Sequence, residues 1–334
     1  MIKLIQLQQD GIRKVGVVAE PHIQLLAPFA SVYELARQAI QQNVRLTDLI
    51  AQSVTNETLD YDAVYSGQSP WRILPAADHP AEAARCLVSG TGLTHTASAK
   101  NRNAMHVKTD DAALTDSMKV FYWGVERGKP ADGEIGVAPE WFYKGNGDIL
   151  RAHGEPLFTP RYAEDGGEEP EIAGVYVIAD DGTPHRIGFT TGNEFSDHQF
   201  EKQNYLYLAG SKLRTCSIGP ELVVGHDFQS IPGTVTVERD GQPLWSAALK
   251  SGEAEMCHSL ANIEHHHFKF EWHRRPGDVH IHFYGADAFS FGAGVTLQAG
   301  DVMKVQWEGF GRPLCNPLEV AEEKDAVVAV QAML

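Results

Sequence analysis

The sequence predicts a strand-dominated α+β protein, and three observations support this class. From Cys86 onward the chain is mostly short strand-like runs separated by glycine-rich turns and prolines. Helical spacing of apolar residues is confined to a few segments, of which 31–52 and 252–266 are the clearest. Strands and helices do not alternate regularly, which argues against a doubly wound sheet. The length of 334 residues suits a small N-terminal α+β domain at 1–80 and a larger domain at 81–334.

The individual elements follow from local patterns. Residues 1–19 alternate around Asp10-Gly11, which predicts a β-hairpin. Residues 31–52 predict two short helices joined near Asn43. The polar, proline-containing stretch 65–80 predicts a linker. Residues 252–266 predict a later helix, and strands are expected within 278–286 and 301–311.

Composition and charge exclude several classes of function. The net charge of −16 argues against nucleic acid or a membrane surface as a partner, because both are polyanionic. The four cysteines are scattered without a CxxC pair, so neither a structural zinc site nor a disulfide framework is expected. No stretch approaches the roughly 18 apolar residues that span a bilayer, and the first residues lack a signal-peptide pattern. A cytoplasmic protein is therefore expected.

Acidic side chains concentrate in the segment 166–197. Glu169 and Glu171 are two residues apart at the start of a strand-like run, so both leave the same face. Asp181-Gly182 predicts the hairpin turn, so the returning strand places residue 193 opposite residue 170 and brings Glu194 beside Glu169 and Glu171. Three converging carboxylates repel unless they are protonated or neutralised, and an all-oxygen set suits Mg²⁺ or Mn²⁺. The alternative is a solvated acidic hairpin mouth. Glu168 points to the opposite face and is expected at the surface.

These residues resemble the metal motif of the fumarylacetoacetate hydrolase superfamily. The matching residues are Glu169-Pro170-Glu171, Asn193-Glu194, Cys216-Ser217-Ile218-Gly219-Pro220, Gly300-Asp301, Gly309-Phe310-Gly311 and Asn316-Pro317. The similarity runs from about residue 86 to 318, so it covers most of the chain. The resemblance implies a mixed β-sandwich roll, a catalytic domain at 81–334, a Mg²⁺ or Mn²⁺ ion on Glu169, Glu171 and Glu194, and a homodimer.

The chain departs from the superfamily pattern at several positions. Glu194 stands where the third ligand is usually Asp. The lid motif His-x-x-Glu is matched by His95 and Ser98, so the glutamate that activates water in the hydrolases is missing. The lysine before the Cys turn falls on Gly210 in an ungapped alignment, with Lys212 two positions later. Lys212 and Ser98 are accordingly predicted to contact the substrate.

A branch of this superfamily, the 2-keto-3-deoxy-sugar-acid dehydratases of pentose pathways, is similar in a further motif. Its Glu-x-Phe-x-Lys stretch is matched by Glu140-Trp141-Phe142-Tyr143-Lys144. The resemblance implies that Glu140 is an acid/base and that Lys144 holds an oxyanion, with His95 as a third catalytic residue. The alternative for Glu140 and Lys144 is an exposed i,i+4 ion pair.

The reaction implied is elimination of water from a small anionic 2-oxo acid, a 2-keto-3-deoxypentonate, to give a 2-oxo semialdehyde. The missing glutamate at position 98 favours elimination over hydrolysis, because elimination needs no activated water. One alternative is a hydrolase of a 2,4-dioxo acid or a decarboxylase of oxaloacetate. A second alternative is a non-catalytic protein that binds sugar acids.

Two sets of histidines and one glycine-rich step do not predict a binding site. His265, His266 and His267 are consecutive on a predicted helix and spread around it, so they cannot all bind one ion. His280 and His282 share a strand face but lack a third ligand, and core or surface positions are expected. The glycine-rich step at 90–92 lacks the third glycine and βαβ context of a dinucleotide site, so NAD is not expected.

Overall fold

The computed structural model describes residues 1–96, 115–323 and 325–333, and within them strands dominate. The strands are β1 Ile2–Gln9, β2 Ile12–Ala19, β3 His22–Leu26, β4 Val54–Asp60, β5 Arg72–Ile73, β6 Cys86–Gly92, β7 Glu140–Asn146, β8 Leu150–Arg151, β9 Leu157–Thr159, β10 Pro170–Ile178, β11 Pro184–Asn193, β12 Cys216–Val224, β13 Ile231–Arg239, β14 Gln242–Ser251, β15 Val279–Phe283, β16 Val302–Trp307 and β17 Leu314–Val320. The α-helices are α1 Val32–Gln42, α2 Leu46–Ser53, α3 Tyr61–Tyr65, α4 Asp116–Arg127, α5 His198–Gln203, α6 Leu208–Ser211 and α7 Leu260–Phe268. The predicted α+β class is confirmed.

Two mixed sheets carry the architecture. The larger has the order β4-β3-β2-β1-β12-β11-β10-β15-β6-β7, with β5 beside β1 and β8 beside β12. The smaller has the order β14-β13-β16-β17-β9. The sheets meet through a buried apolar layer to which β10, β11 and β12 contribute Ile172, Phe189 and Val223, and the smaller sheet Val235 and Val305. A second buried layer lies between the larger sheet and helices α1 and α2.

The N-terminal elements follow the local sequence signals closely. Asp10 and Gly11 have φ values of 49° and 81°, and they connect β1 to β2 as a two-residue hairpin turn. Helix α1 ends at Asn43, which adopts the left-handed conformation with φ 53° and ψ 44°. The predicted hairpin and the predicted pair of helices are both confirmed.

Other expectations need adjustment. The later helix begins at Leu260 rather than at residue 252, because the Ser259 side chain accepts from the backbone N–H of Asn262 and caps it there. The predicted linker 65–80 is largely packed, since β5 pairs with β1 and Ile73 and Ala76 are buried. Strand β1 also pairs with β12, so both parts of the chain share one sheet, and the division at residue 80 stays a prediction.

Among the described residues, no helix has the length and apolar character needed to cross a bilayer.

Candidate active site

A hairpin places three acidic side chains together. Strands β10 and β11 pair with Pro170 opposite Asn193, and the backbone N–H of Glu194 donates to the carbonyl of Glu169 at 2.9 Å. The register is the predicted one at this end. One carboxylate oxygen from each of Glu169, Glu171 and Glu194 lies within 4.8 Å of the others, and all three side chains are buried. The alternative prediction of a solvated acidic hairpin mouth is therefore wrong, because the three carboxyl groups lie in one buried cluster.

Lys212 bridges two of these carboxylates. Its Nζ donates to Glu169 Oε1 at 2.7 Å, to Glu194 Oε2 at 2.6 Å and to Ser196 Oγ at 2.8 Å. Burial alone would lower the pKa of Lys212, but Glu169 and Glu194 raise it overall, so the ammonium stays charged. Since all three N–H groups are used, Lys212 acts first as a neutralising partner of the carboxylates.

Lys144 reaches the same cluster from β7. Its Nζ lies 2.6 Å from Glu194 Oε1 and donates to the backbone carbonyls of Phe195 and Lys212 at 2.8 and 2.9 Å. Burial lowers the pKa of Lys144 despite the contact with Glu194. The sequence interpretation of Lys144 as part of an exposed ion pair is wrong, because the side chain is 1% exposed.

Of the three clustered carboxyl groups, that of Glu171 has no cationic partner at hydrogen-bond distance among the described residues. Its Oε2 accepts from the backbone N–H of Gly285 at 2.7 Å. Burial, followed by the charges of Glu169 and Glu194, raises the pKa of Glu171 well above its usual value. By contrast, Lys212 and His198 overcome burial and hold the pKa of Glu169 well below its usual value. The surroundings of the cluster thus move the pKa values of Glu169 and Glu171 in opposite directions.

His95 is buried, and one of its ring nitrogens has no hydrogen-bond partner among the described residues. Its Nδ1 lies 2.8 Å from Thr94 Oγ1, while that hydroxyl donates its one proton to the carbonyl of Tyr284. Nδ1 must therefore carry the hydrogen of the neutral ring, which leaves a lone pair on Nε2. Nε2 is buried and has no hydrogen-bond partner among the described residues. Burial lowers the pKa of His95 to about 4, so the ring is neutral near pH 7.

Two glycines lie in close contact with Thr94, the hydrogen-bond partner of His95, and with Glu140. A Cβ on Gly285 would lie 2.1 Å from Thr94 Oγ1, so Thr94 sits against the glycine whose N–H holds Glu171. On the neighbouring strands, Gly92 pairs with Glu140, and a Cβ on Gly92 would lie 1.9 Å from Glu140 Oε1. Glu140 is 5% exposed, which also contradicts an exposed ion pair.

The remaining expectations have mixed outcomes. Ser98 lies outside the described residues. Glu168 is not at the surface: it is fully buried, and its carboxyl accepts from the N–H and the hydroxyl of Ser290. Sequence reasoning missed His198, whose Nε2 donates to Glu169 Oε1 at 3.0 Å. Burial would lower the pKa of His198, but the contact with Glu169 raises it overall. Its position four residues after Glu194 was the available signal, and such spacing is weak.

Comparisons with known proteins show which proteins the chain resembles. No model of a known protein family matches the chain. A curated protein of Haloferax volcanii, a probable 2-keto-3-deoxyxylonate dehydratase, is 27% identical over 179 residues, which is 52% of this chain and 58% of the relative. The chain therefore aligns with little more than half of that relative's length.

Solved structures cover the chain more fully. A 2-keto-3-deoxy-D-arabinonate dehydratase complexed with magnesium and 2,5-dioxopentanoate has a TM-score of 0.70 at 20% identity, over 96% of this chain and 100% of that one. A fumarylacetoacetate hydrolase from Exiguobacterium antarcticum has a TM-score of 0.60 at 18% identity, over the same shares. The chain thus has the fold of the fumarylacetoacetate hydrolase superfamily. The curated relative and this dehydratase structure are both named as 2-keto-3-deoxy-sugar-acid dehydratases, the branch that the sequence motifs resemble.

Proposed function

We propose that the protein is a Mg²⁺- or Mn²⁺-dependent dehydratase that removes water from a 2-keto-3-deoxy sugar acid, a pentonate. The observation that carries the proposal is the buried convergence of Glu169, Glu171 and Glu194. The Haloferax volcanii relative is named for such a reaction, and the similar dehydratase structure contains magnesium and 2,5-dioxopentanoate. Both observations support the proposal for this chain.

The residues present fit a divalent cation. The donor set is all oxygen, which Mg²⁺ and Mn²⁺ prefer. Two buried ammonium groups, those of Lys144 and Lys212, face three carboxyl groups. The third carboxyl group, Glu171, has a pKa that burial, and then the charges of Glu169 and Glu194, raise well above its usual value. A cation bound by the three carboxylates would supply the missing positive charge and allow Glu171 to ionise.

The chain's own groups supply the rest of the chemistry. A cation bound there would polarise the 2-oxo group and acidify the hydrogens on C3. The Nε2 lone pair of His95 would accept one C3 proton. The Glu140 carboxyl would give a proton to the C4 hydroxyl, so that the C4–O bond breaks and water leaves. The unsaturated product then tautomerises to the 2-oxo semialdehyde.

The two lysines serve the carboxylates in this proposal. Lys212 already donates three hydrogen bonds to protein oxygens, so it has no donor to spare for an oxyanion. Lys144 donates two to backbone carbonyls, and its ammonium lies 2.6 Å from Glu194 Oε1. Lys144 holds Glu194, and Lys212 holds Glu169 and Glu194 together. We assign to both the role of orienting the ligands.

We also propose that the protein works as a homodimer in the cytoplasm. The homodimer follows from the family resemblance, and the exposed aromatic side chains of Tyr143, Phe270 and Trp272 support it as apolar surface for a partner copy. All four cysteines are free, which suits a reducing compartment. Sedimentation equilibrium of the purified protein tests the dimer.

The decisive experiment is product analysis with purified protein, Mg²⁺ and a 2-keto-3-deoxypentonate. We expect a semialdehyde with an unbroken carbon chain, and loss of activity with EDTA or Glu171→Gln. The matched control is Glu308→Gln, because Glu308 is an exposed glutamate on the turn after β16. Pyruvate plus a second fragment, or CO₂, would indicate the hydrolase or decarboxylase instead. Binding without turnover would indicate the sugar-acid binding protein, and activity surviving EDTA and Glu171→Gln would refute the metal assignment.

A further inference from the structure

A short turn after β15 lies next to the carboxylate cluster but contributes no residue to it. The turn is the 3-10 segment Ser290–Ala293, preceded by Phe289, and we call Phe289, Ser290 and Phe291 the aromatic clamp. Ser290 is 1% exposed and Phe289 is 7% exposed. Phe289 and Ser290 are therefore part of the interior, while Phe291 is half-buried.

The clamp is fastened to the residue that precedes Glu169. The backbone N–H of Ser290 donates to Glu168 Oε1 at 2.5 Å, and its hydroxyl donates to Glu168 Oε2 at 2.7 Å. A fully buried carboxyl group is costly unless its oxygens are hydrogen-bonded, and here both oxygens bond to one residue. Because neighbouring side chains of an extended chain point to opposite faces, Glu168 reaches the clamp while Glu169 reaches the cluster.

The two phenylalanines of the clamp hold the imidazole of His198. Phe289 stacks on it with ring centroids 4.7 Å apart and planes 12° apart. Phe291 contacts it at 5.1 Å and 33°. Stacking against flat rings restricts the rotation of the imidazole, which otherwise turns freely about its second side-chain torsion.

The orientation fixed in this way determines what His198 touches. Its Nε2 donates to Glu169 Oε1 at 3.0 Å. The other edge of the ring lies over Gly167, where a Cβ would come within 2.3 Å of Nδ1. His198 thus fits tightly between the clamp, the glycine and the carboxylate.

We propose that Glu168 and the aromatic clamp are positioning residues for the metal site, acting through His198 on Glu169. The proposal rests on the proposed function. Ser290 ties the clamp to Glu168, the clamp orients the His198 ring, and the ring fixes one oxygen of Glu169. These contacts therefore link the Glu168 side chain to the Glu169 side chain, so the Glu169 carboxylate is oriented before a cation binds. Residues behind metal ligands typically change metal affinity by 10–100-fold when they are removed.

The test is Mn²⁺ titration of the full-length protein without substrate, followed by calorimetry and by the EPR signal of free Mn²⁺. We expect Ser290→Ala and Phe289→Leu each to weaken Mn²⁺ binding by about tenfold or more. Glu168→Gln keeps the shape of the side chain; its amide oxygen can accept from the Ser290 N–H, and its NH2 can donate to Ser290 Oγ. We therefore expect it to stay within about threefold of the parent, by the same scale. Ser290→Ala retains the backbone donor to Glu168, so it provides a folded variant if Phe289→Leu unfolds.

Matched controls separate positioning from general loss of stability. Ser251→Ala removes an equally buried hydroxyl that has no hydrogen-bond partner among the described residues. Phe228→Leu removes a buried phenylalanine that stacks on Phe189 at 4.7 Å. Both should bind Mn²⁺ like the parent. Unchanged binding in Ser290→Ala and Phe289→Leu, while Glu171→Gln abolishes it, would overturn the clamp alone. Undiminished binding in Glu171→Gln would overturn the metal site and the clamp with it.

Discussion

Glu221 on β12 is a buried carboxyl group that makes the stability of the fold depend on pH. It is fully buried, and its Oε1 accepts from the Tyr61 hydroxyl at 2.5 Å and from the backbone N–H of Arg312 at 3.3 Å. Its Oε2 has no partner among the described residues. Burial raises the pKa of Glu221 from its usual 4.5 to about 7, although these hydrogen bonds oppose the rise.

The sign follows from the direction of this change. A carboxyl group whose pKa is higher in the folded than in the unfolded protein binds its proton more tightly when folded. Stability therefore falls as pH rises from the unfolded pKa near 4.5 to the folded pKa near 7, and the loss is complete above pH 7. The gap between these pKa values corresponds to about 3 kcal/mol, at about 1.4 kcal/mol for each pKa step.

The perturbation is Glu221→Gln, which keeps the shape and removes the titration. We expect the free energy of unfolding of Glu221→Gln, minus that of the parent, to increase by about 2–3 kcal/mol between pH 5 and pH 8. Urea unfolding followed by tryptophan fluorescence measures this difference at each pH, and other titrating groups cancel in it. A difference that stays constant, or that decreases with pH, would refute the reasoning.

Two further predictions concern the active site. Lys212→Met leaves Glu169 and Glu194 buried without their shared ammonium, so the metal-free protein should lose about 3–5 kcal/mol of unfolding free energy. Added Mg²⁺ should recover part of this loss. Urea unfolding with EDTA and with Mg²⁺ measures both effects, and stability equal to that of the parent in EDTA would contradict the prediction. Gly92→Ala places a Cβ 1.9 Å from Glu140 Oε1 and should lower kcat at least tenfold. The Mn²⁺ affinity should stay unchanged, because Glu140 is not a predicted ligand. Steady-state kinetics and Mn²⁺ titration measure the two quantities, and an unaltered kcat would show that Glu140 takes no part in the reaction.

The hairpin shows how much of the site could be predicted from the sequence. The Asp181-Gly182 signal predicted residue 170 opposite residue 193, and the structure has that pair. Near the turn the register differs, since Ile178 faces Pro184, and an irregularity between Val175 and Tyr176 restores the predicted register. A bulge of this kind depends on neighbouring strands, so the short-range pattern contained no sign of it.

Long-range partners were beyond the sequence for a different reason. Glu168 and Ser290 are 122 residues apart, and Lys212 reaches Glu169 across 43 residues. Periodicity reports which face a residue occupies but not which distant segment covers that face. For Glu168 even the assignment to solvent was wrong, because the second face of β10 and its entry is also covered by protein. The two-sided burial of this strand, in which every residue from Pro170 to Ile178 is buried, made an acidic residue on either face an interior residue.

The arrangement of charges explains why this cluster is better understood as a cation site than as a source of stability. Buried ion pairs rarely stabilise a protein more than apolar side chains of similar size, yet here three carboxyl groups and two ammonium groups occupy one interior region. The lysines contact Glu169 and Glu194, while burial, and then the charges of Glu169 and Glu194, raise the pKa of Glu171. A core built only for stability has no reason to include that third carboxyl. In the proposed cation site Glu171 is the third ligand, and because protons compete with a cation for carboxylates, we expect cation binding to weaken as pH falls.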